Sequence, residues 1–280
     1  MIPFMSNSLL FSLSALLALM PAAVAPVGRE RHTEGGVFWL LLAVAAIGPA
    51  AWATALQSPH WQTGISAALW LSIAVSVVLF CAISAISRAA RRLAPLLLAY
   101  LIALGVLAIL WQHEPARPLG EIATPAWFAA HILVAIAAYG LLTLAAVAGF
   151  AVVLRERALK AKRPGAQGSG AFVRALPSVA EGEQLQGALL RASAWLLAAA
   201  LVSGMTVEWL QRRVLVVVDH KTVLSVLTFA LILGLLALRR AGGLSSRRAA
   251  HYVLVAYLLL TLAYPGVKFV TDVLLGGAPT

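Results

Sequence analysis

Eight apolar runs, each about the length of a bilayer span, dominate this chain of 280 residues. A transmembrane helix needs about 20 mostly apolar residues, and long runs of this kind are typical of membrane proteins. They predict an all-α fold, a polytopic bundle of about eight transmembrane helices. The predicted spans are 8–27, 36–56, 64–86, 93–111, 127–154, 189–209, 222–238 and 249–270.

Composition supports the membrane assignment and excludes other classes. Hydrophobic residues make up 62% of the chain and charged residues 11%, whereas soluble domains carry about 25% charged residues. The net charge of +11 does not indicate nucleic-acid binding, because the basic residues form short clusters between apolar runs and do not alternate with aromatic residues in a polar context. The one cysteine, Cys81, excludes an intrachain disulfide and a CxxC motif.

The distribution of Lys and Arg predicts the topology. One set of loops holds sixteen of these residues and the opposite set holds five. The positive-inside rule places the richer set in the cytoplasm, so both termini are predicted to be periplasmic in a multi-pass protein of the bacterial inner membrane. The richer set is Arg29, Arg31, Arg88, Arg91, Arg92, Arg155, Arg157, Lys160, Lys162, Arg163, Arg174, Arg191, Arg239, Arg240, Arg247 and Arg248; the other is Arg117, Arg212, Arg213, Lys221 and Lys268.

The first run has an alternative interpretation as a signal peptide, because the segment 23–25 (Ala-Val-Ala) resembles a cleavage site. A signal peptide has a positively charged segment before its apolar core. Residues 1–10 contain no Lys or Arg, which favours a retained span.

We expect residues 1–280 to form a single integral membrane domain with one long cytoplasmic loop, residues 155–188. The loop begins with a basic helical tail and continues through a Gly/Ser-rich segment, 164–170, which is typical of a flexible linker. Glu181, Glu183 and Gln184 then indicate the polar start of the helix that leads into the sixth span.

The fifth span carries the most informative polar residues. From Ala126 to Leu154 its only ionisable side chains are His131 and Tyr139. Trp127, His131, Ala135 and Tyr139 recur every four residues, so they follow one slowly drifting stripe on a helix. An intramembrane histidine indicates a functional site. The alternative is a structural His131 that bonds a neighbouring helix or lies at the wet interface.

Histidines also cluster on the predicted periplasmic rim, where four of the six in the chain lie: His60, His113, His131 and His220. Neutral imidazole is the commonest metal ligand in proteins, so this clustering fits a metal or haem site. The sequence contains no HxxxH or HExxH spacing. Any such site must therefore be assembled from different spans.

Three segments in order resemble the cytochrome c assembly family, which includes proteins of the CcsA, CcmC and HemX type. The first is ATPAWFAAHILVAIAAYGLLTLAAVAGFAVVLRERALK, from Ala123, the second DHKTVLSVLTFALILGLLALRRAGG, from Asp219, and the third LTLAYPGVKFVTDVLL, from Leu260. The chain looks most similar to the inner-membrane subgroup called YpjD. The resemblance covers residues 119–275, and the first four spans match by hydropathy alone.

The resemblance implies a protein that binds haem in the membrane and presents it at the periplasmic face for cytochrome c assembly. It implies haem as the cofactor, with His131 as one axial ligand to the iron. The candidates for the second ligand are His60, His113 and His220, because the predicted topology places all three on the same side. Trp127 and Tyr139, on the same stripe, complete the candidate site. Arg117, Arg212 and Arg213 are candidates to pair with the haem propionates, or simply to extend toward the interface.

The chain also departs from the family pattern. It has no tryptophan-rich WWD segment, and its second and seventh spans lack the histidines found in related proteins. A second hypothesis is therefore a membrane partner or scaffold of the same fold that no longer binds haem. A third is a small-molecule transporter, whose signature would be helices interrupted near the midplane, with Pro49 and Pro265 as the candidates. No catalytic nucleophile or acid–base pair stands out, so we do not expect an enzyme.

Overall fold

The computed structural model of the chain describes residues 3–24, 35–57, 64–112, 126–160, 172–213, 219–242, 245–266 and 269–270. Regular secondary structure within these ranges is helical. In chain order the helices are α1 Pro3–Val24, α2 Gly36–Leu56, α3 Ile65–Ile86, α4 Arg88–Arg91, α5 Ala94–Leu110, α6 Ala126–Lys160, α7 Val179–Arg212, α8 His220–Arg240 and α9 Ser246–Thr261, which passes into a π-helical turn, Leu262–Gly266.

Each of the eight predicted spans is helical over its described residues, apart from the end residues Gly64, Leu93 and Trp111, which confirms a polytopic helical membrane bundle. Five helices in the described part are long and apolar enough to cross a membrane: α2, α3, α6, α7 and α8. The apolar parts of α1 and α5 are shorter, at Ser8–Val24 and Ala94–Leu110. α9 has 16 residues before its π-helical turn.

Helix α6 lies at the centre of the bundle. In the most apolar 18-residue stretch of α6, 67% of the residues are buried inside the protein, whereas the corresponding share for α8 is 17%. α6 contacts α3, α5, α7 and α9, while α1, α2, α3 and α5 pack among themselves. Helix α6, which carries His131, is therefore in contact with both the first helices and the last ones.

Small residues let these helices approach closely. A Cβ atom built on Gly48 of α2 would lie 2.7 Å from the Cβ of Ala18 in α1, and one on Gly182 of α7 would lie 2.7 Å from Cγ2 of Val152 in α6. Helix association in membranes depends on such close contact, because apolar side chains gain little by leaving lipid for one another.

The helix ends are set by local chemistry. Ser178 Oγ accepts from the backbone N–H of Glu181 at 3.3 Å, and the Glu181 carboxylate accepts from Ser178 N at 2.9 Å, which forms a capping box at the start of α7. The helix thus begins ten residues before the predicted span at Leu189, in agreement with the polar start expected at Glu181. At the other end, Arg213 closes α7 with a positive φ of 57°.

The predicted linker at 164–170 lies outside the described residues. Before it, α6 remains helical to Lys160, as the basic helical tail predicted. Pro49 lies within α2, which runs unbroken from Gly36 to Leu56, so the interruption expected of a transporter does not occur there. Pro265 lies in the π-helical turn that ends α9.

Candidate functional site

The central feature of the site is a hydrogen bond between the two longest helices. His131 lies in the second turn of α6, half-buried, and its Nδ1 atom is 2.8 Å from Oγ of Ser203 on α7. The alternative in which His131 bonds a neighbouring helix therefore holds for its Nδ1 atom.

The hydrogen bonds around Ser203 assign the tautomer of His131. Ser203 Oγ lies 3.0 Å from the carbonyl oxygen of Ala200 and donates its proton there, a common bond for serine within a helix. A hydroxyl that has donated its one proton can only accept from a second neighbour. We infer from this pattern that Nδ1 of His131 donates to Ser203 Oγ, which leaves Nε2 with the unprotonated lone pair that a metal ligand requires.

A glycine makes room for the imidazole. A Cβ atom built on Gly204 would lie 3.1 Å from Cε1 of His131 and 3.7 Å from Nε2. The first distance is tighter than side chains ordinarily tolerate, so a larger residue at position 204 would push the ring away. Ser203 and Gly204 therefore act together, one by bonding the ring and the other by leaving it space.

Trp127 and Tyr139 lie at opposite ends of the predicted stripe. Trp127 is half exposed at the start of α6, whereas Tyr139 is 5% exposed in the core. Eight residues separate His131 from Tyr139, which corresponds to about 12 Å along a helix. Tyr139 therefore lies two turns deeper in the bundle than the imidazole.

Tyr139 belongs to a cluster of hydroxyl groups that sequence reasoning missed. Its hydroxyl is 3.0 Å from that of Tyr257 and 3.4 Å from Oγ1 of Thr261, both on α9. The hydroxyl of Tyr100, on α5, bonds that of Tyr257 as well. This cluster joins the first helices to the last ones, and long sequence separation conceals it: Tyr100 and Tyr257 are 157 residues apart.

Ala135 and Ala138 are small residues of α6 that follow His131, and small residues let a flat macrocycle or another helix approach closely. At Ala138 the neighbour is a helix, because Ser193 Oγ on α7 donates to the Ala138 carbonyl at 3.1 Å. Ala138 is fully buried there. Ala135, one turn nearer His131, is half-buried.

Of the three other candidate histidines, the structure describes His220 alone. His220 is exposed at the first residue of α8, next to the helix cap Asp219. His60 and His113 lie outside the described residues, as does Arg117. Arg213 is exposed, and the side chain of Arg212 is not described. Within the described ranges, no three His, Cys, Asp or Glu side chains group closely enough to hold a metal ion.

The fold and the site define the class of protein: a multi-pass helical membrane protein in which a half-buried histidine lies between the two longest helices. A protein-family model described as cytochrome C assembly protein matches residues 61–275. The chain belongs to the cytochrome c assembly protein family. The match begins upstream of residue 119, so it also takes in the third and fourth spans, which the residue-level resemblance reached only by hydropathy.

A relative from Azospirillum brasilense supports the same relationship. It is an uncharacterized 28.8 kDa protein in a nifR3-like 5' region, 48% identical over 276 residues, which are 97% of this chain and 100% of the relative. No solved structure matches. Membership of the family supports a role in cytochrome c biogenesis. Because the match is to the family as a whole, the YpjD-type subgroup stays a prediction.

Proposed function

We propose that this protein binds haem in the membrane and presents it at the periplasmic face during cytochrome c assembly. The observation that carries the proposal is the 2.8 Å contact between His131 Nδ1 and Ser203 Oγ: if Ser203 accepts the Nδ1 proton, as its own bond to the Ala200 carbonyl favours, Nε2 is available as an electron-pair donor. Family membership supplies the reason why that donor would meet haem.

The described residues fit haem on chemical grounds. Neutral imidazole is a common axial ligand of haem iron, and the identity of the axial ligands sets the redox potential that the iron brings to the site. In a ligating histidine, the ring nitrogen that does not bind the metal typically makes a hydrogen bond, which fixes the tautomer and the orientation of the ring. Ser203 provides that bond, and Gly204 leaves the ring its space.

The second axial ligand is proposed to be one of His60, His113 and His220, which the predicted topology places on the same side of the membrane as His131. The candidates to pair with the haem propionates are Arg117, Arg212 and Arg213. The proposed role is binding and presentation, not catalysis.

The test compares the visible spectra of detergent-purified protein, oxidised and reduced, after expression with a haem precursor. Wild type is expected to show a Soret band that His131→Ala abolishes or strongly weakens. His251→Ala is the matched control: this exposed histidine lies on the cytoplasmic side of α9 and bonds only the Arg247 carbonyl among the described residues. A wild-type protein without haem would favour the scaffold function. A spectrum unchanged in His131→Ala would exclude this histidine as a ligand.

A further inference from the structure

A cleft lies between α7 and α8. Its volume is about 560 Å³. The walls are apolar and the mouth is basic, with three arginines: Arg191, Arg239 and Arg240. Wall residues are Ala194, Trp195, Ala198, Phe229, Leu233 and Leu236.

The walls include apolar side chains that the bundle leaves uncovered. Trp195 is 79% exposed and Leu233 is 47% exposed, although both belong to spans apolar enough to cross a membrane. Ala194 and Ala198, on the same side of α7, leave a depression beside the Trp195 indole. An exposed apolar depression on a membrane helix faces hydrocarbon chains, so its natural occupant is an acyl chain.

The arginines at the mouth lie close to one another. A Cβ atom built on Gly187 would lie 3.2 Å from Nη1 of Arg239 and 3.5 Å from Nη1 of Arg191. The two guanidinium groups therefore converge over the same glycine from different helices. Like charges at this separation repel, and an anion between them would relieve the repulsion.

Protein groups position this cluster without neutralising it. Arg239 donates from Nη2 to Oε1 of Gln186, a side chain that is 1% exposed. Glu183 is the one carboxylate whose charge acts on Arg239. Among the described residues an ion pair joins Arg92 to Glu181, whereas none involves the three cleft arginines. The mouth thus keeps a net positive charge.

The length of α8 places the arginines of the cleft mouth near the membrane surface. The 21 residues of α8 span about 31 Å at 1.5 Å per residue, close to the thickness of the hydrocarbon core. Arg239 and Arg240 form its last turn, so they reach the level of the headgroups on the predicted cytoplasmic side. Anionic lipids there attract basic residues by about 1 kcal/mol each.

We propose that this cleft binds an anionic glycerophospholipid. Its phosphate lies between Arg191, Arg239 and Arg240, where guanidinium groups match phosphate oxygens, and one acyl chain lies along Trp195 and Leu233. Gln186 holds Arg239 in position. The site does not depend on haem binding, and it lies on the face opposite to the predicted periplasmic rim.

The test measures lipid retention by native mass spectrometry after reconstitution in bilayers that contain equal amounts of phosphatidylglycerol and phosphatidylcholine. The test variant is the double substitution Arg191→Gln with Arg240→Gln. The control is Arg247→Gln with Arg248→Gln, which removes the same charge from exposed arginines of α9 on the same side. Ala198→Leu fills the cleft without a change of charge. Arg239 is left intact because its bond to buried Gln186 also supports folding.

Wild type and the control are expected to retain one phosphatidylglycerol in preference to phosphatidylcholine. The test variant should retain it roughly thirtyfold less well, since it loses two of the three arginines that line the cleft, whereas the control loses none of them. Ala198→Leu should also lose the lipid. Equal retention of both lipids, or equal retention by the test variant and the control, would overturn the proposal. So would a haem spectrum that disappears in the test variant, because the cleft would then hold a tetrapyrrole.

Discussion

The Nδ1 atom of His131 on α6 and the hydroxyl of Ser203 on α7 lie 2.8 Å apart, in a pair separated by 72 residues of sequence. The bond links the two longest helices. Under the proposed function the same bond would also orient the imidazole toward a ligand. Variants that separate the two effects are therefore the most informative ones.

Substitution of Ser203→Ala removes the acceptor of the Nδ1 proton while leaving His131 in place. Haem retention is expected to fall about 10- to 100-fold, the usual effect of losing a bond that orients a ligating histidine. The unfolding temperature should change little, since hydrogen bonds between membrane helices average about 0.6 kcal/mol. Titration with haem followed at the Soret band measures the first effect, and thermal unfolding measures the second.

Thr206→Ala is the control for Ser203→Ala. Thr206 lies on the same helix, and its hydroxyl bonds the Val202 carbonyl within that helix. Equal haem retention in the two variants would mean that Ser203 acts only through general helix packing.

Substitution of Gly204→Ala tests the space that the imidazole occupies. The added methyl group would meet Cε1 of His131 at 3.1 Å, so we expect the ring to shift and the spectrum and midpoint potential of bound haem to change. Gly234→Ala is the control, because a Cβ atom at this position in α8 meets nothing within 4 Å. A Gly204→Ala protein with wild-type spectrum and potential would show that the ring does not need the space.

The tyrosine cluster makes a prediction about stability alone. Tyr257→Phe removes the hydroxyl that bonds both Tyr100 and Tyr139, and it leaves the partly buried hydroxyl of Tyr100 without this partner. We expect a loss of about 1–2 kcal/mol in the free energy of unfolding. Tyr252→Phe, at an exposed tyrosine of the same helix, should cost much less. Denaturant titration in mixed micelles compares the two, and similar losses would argue against the cluster.

The helices could be predicted from sequence because the constraint that forms them is local. A span-length apolar run has few alternatives in a bilayer, where every backbone polar group must find a partner within the structure. The capping residues Ser178 and Asp219 are local as well, since each bonds a backbone N–H three residues ahead.

The site could be predicted only in part. His131 stands out because it is one of two ionisable residues in its span. Ser203 and Gly204 do not, because nothing in the spacing of α7 shows which of its faces meets α6. Tyr257 was missed for the same reason: its partners lie on two other helices, and the pairing is a property of tertiary packing.

The cap of α8 makes the chain sensitive to acid. Burial opposes ionisation of Asp219, but hydrogen bonds from Thr222, including one from its backbone N–H at 2.7 Å, outweigh burial and lower the pKa of this carboxyl. A group whose pKa is lower in the folded state stabilises that state above its unfolded pKa, near 4. The contribution is lost as the pH falls through the folded pKa.

Asp219→Asn and Asp219→Ala separate the charge of this cap from its hydrogen bond. Asparagine is also a good helix cap, whereas alanine costs about 1 kcal/mol, so the alanine variant should be the less stable of the two at pH 7. Wild type should exceed the asparagine variant at pH 7 through the attraction of a carboxylate to the helix N-terminus. That difference should shrink as the pH falls below about 4, as measured by thermal unfolding in detergent. A difference between wild type and Asp219→Asn that stays constant from pH 7 to pH 3 would show that the Asp219 charge does not stabilise α8.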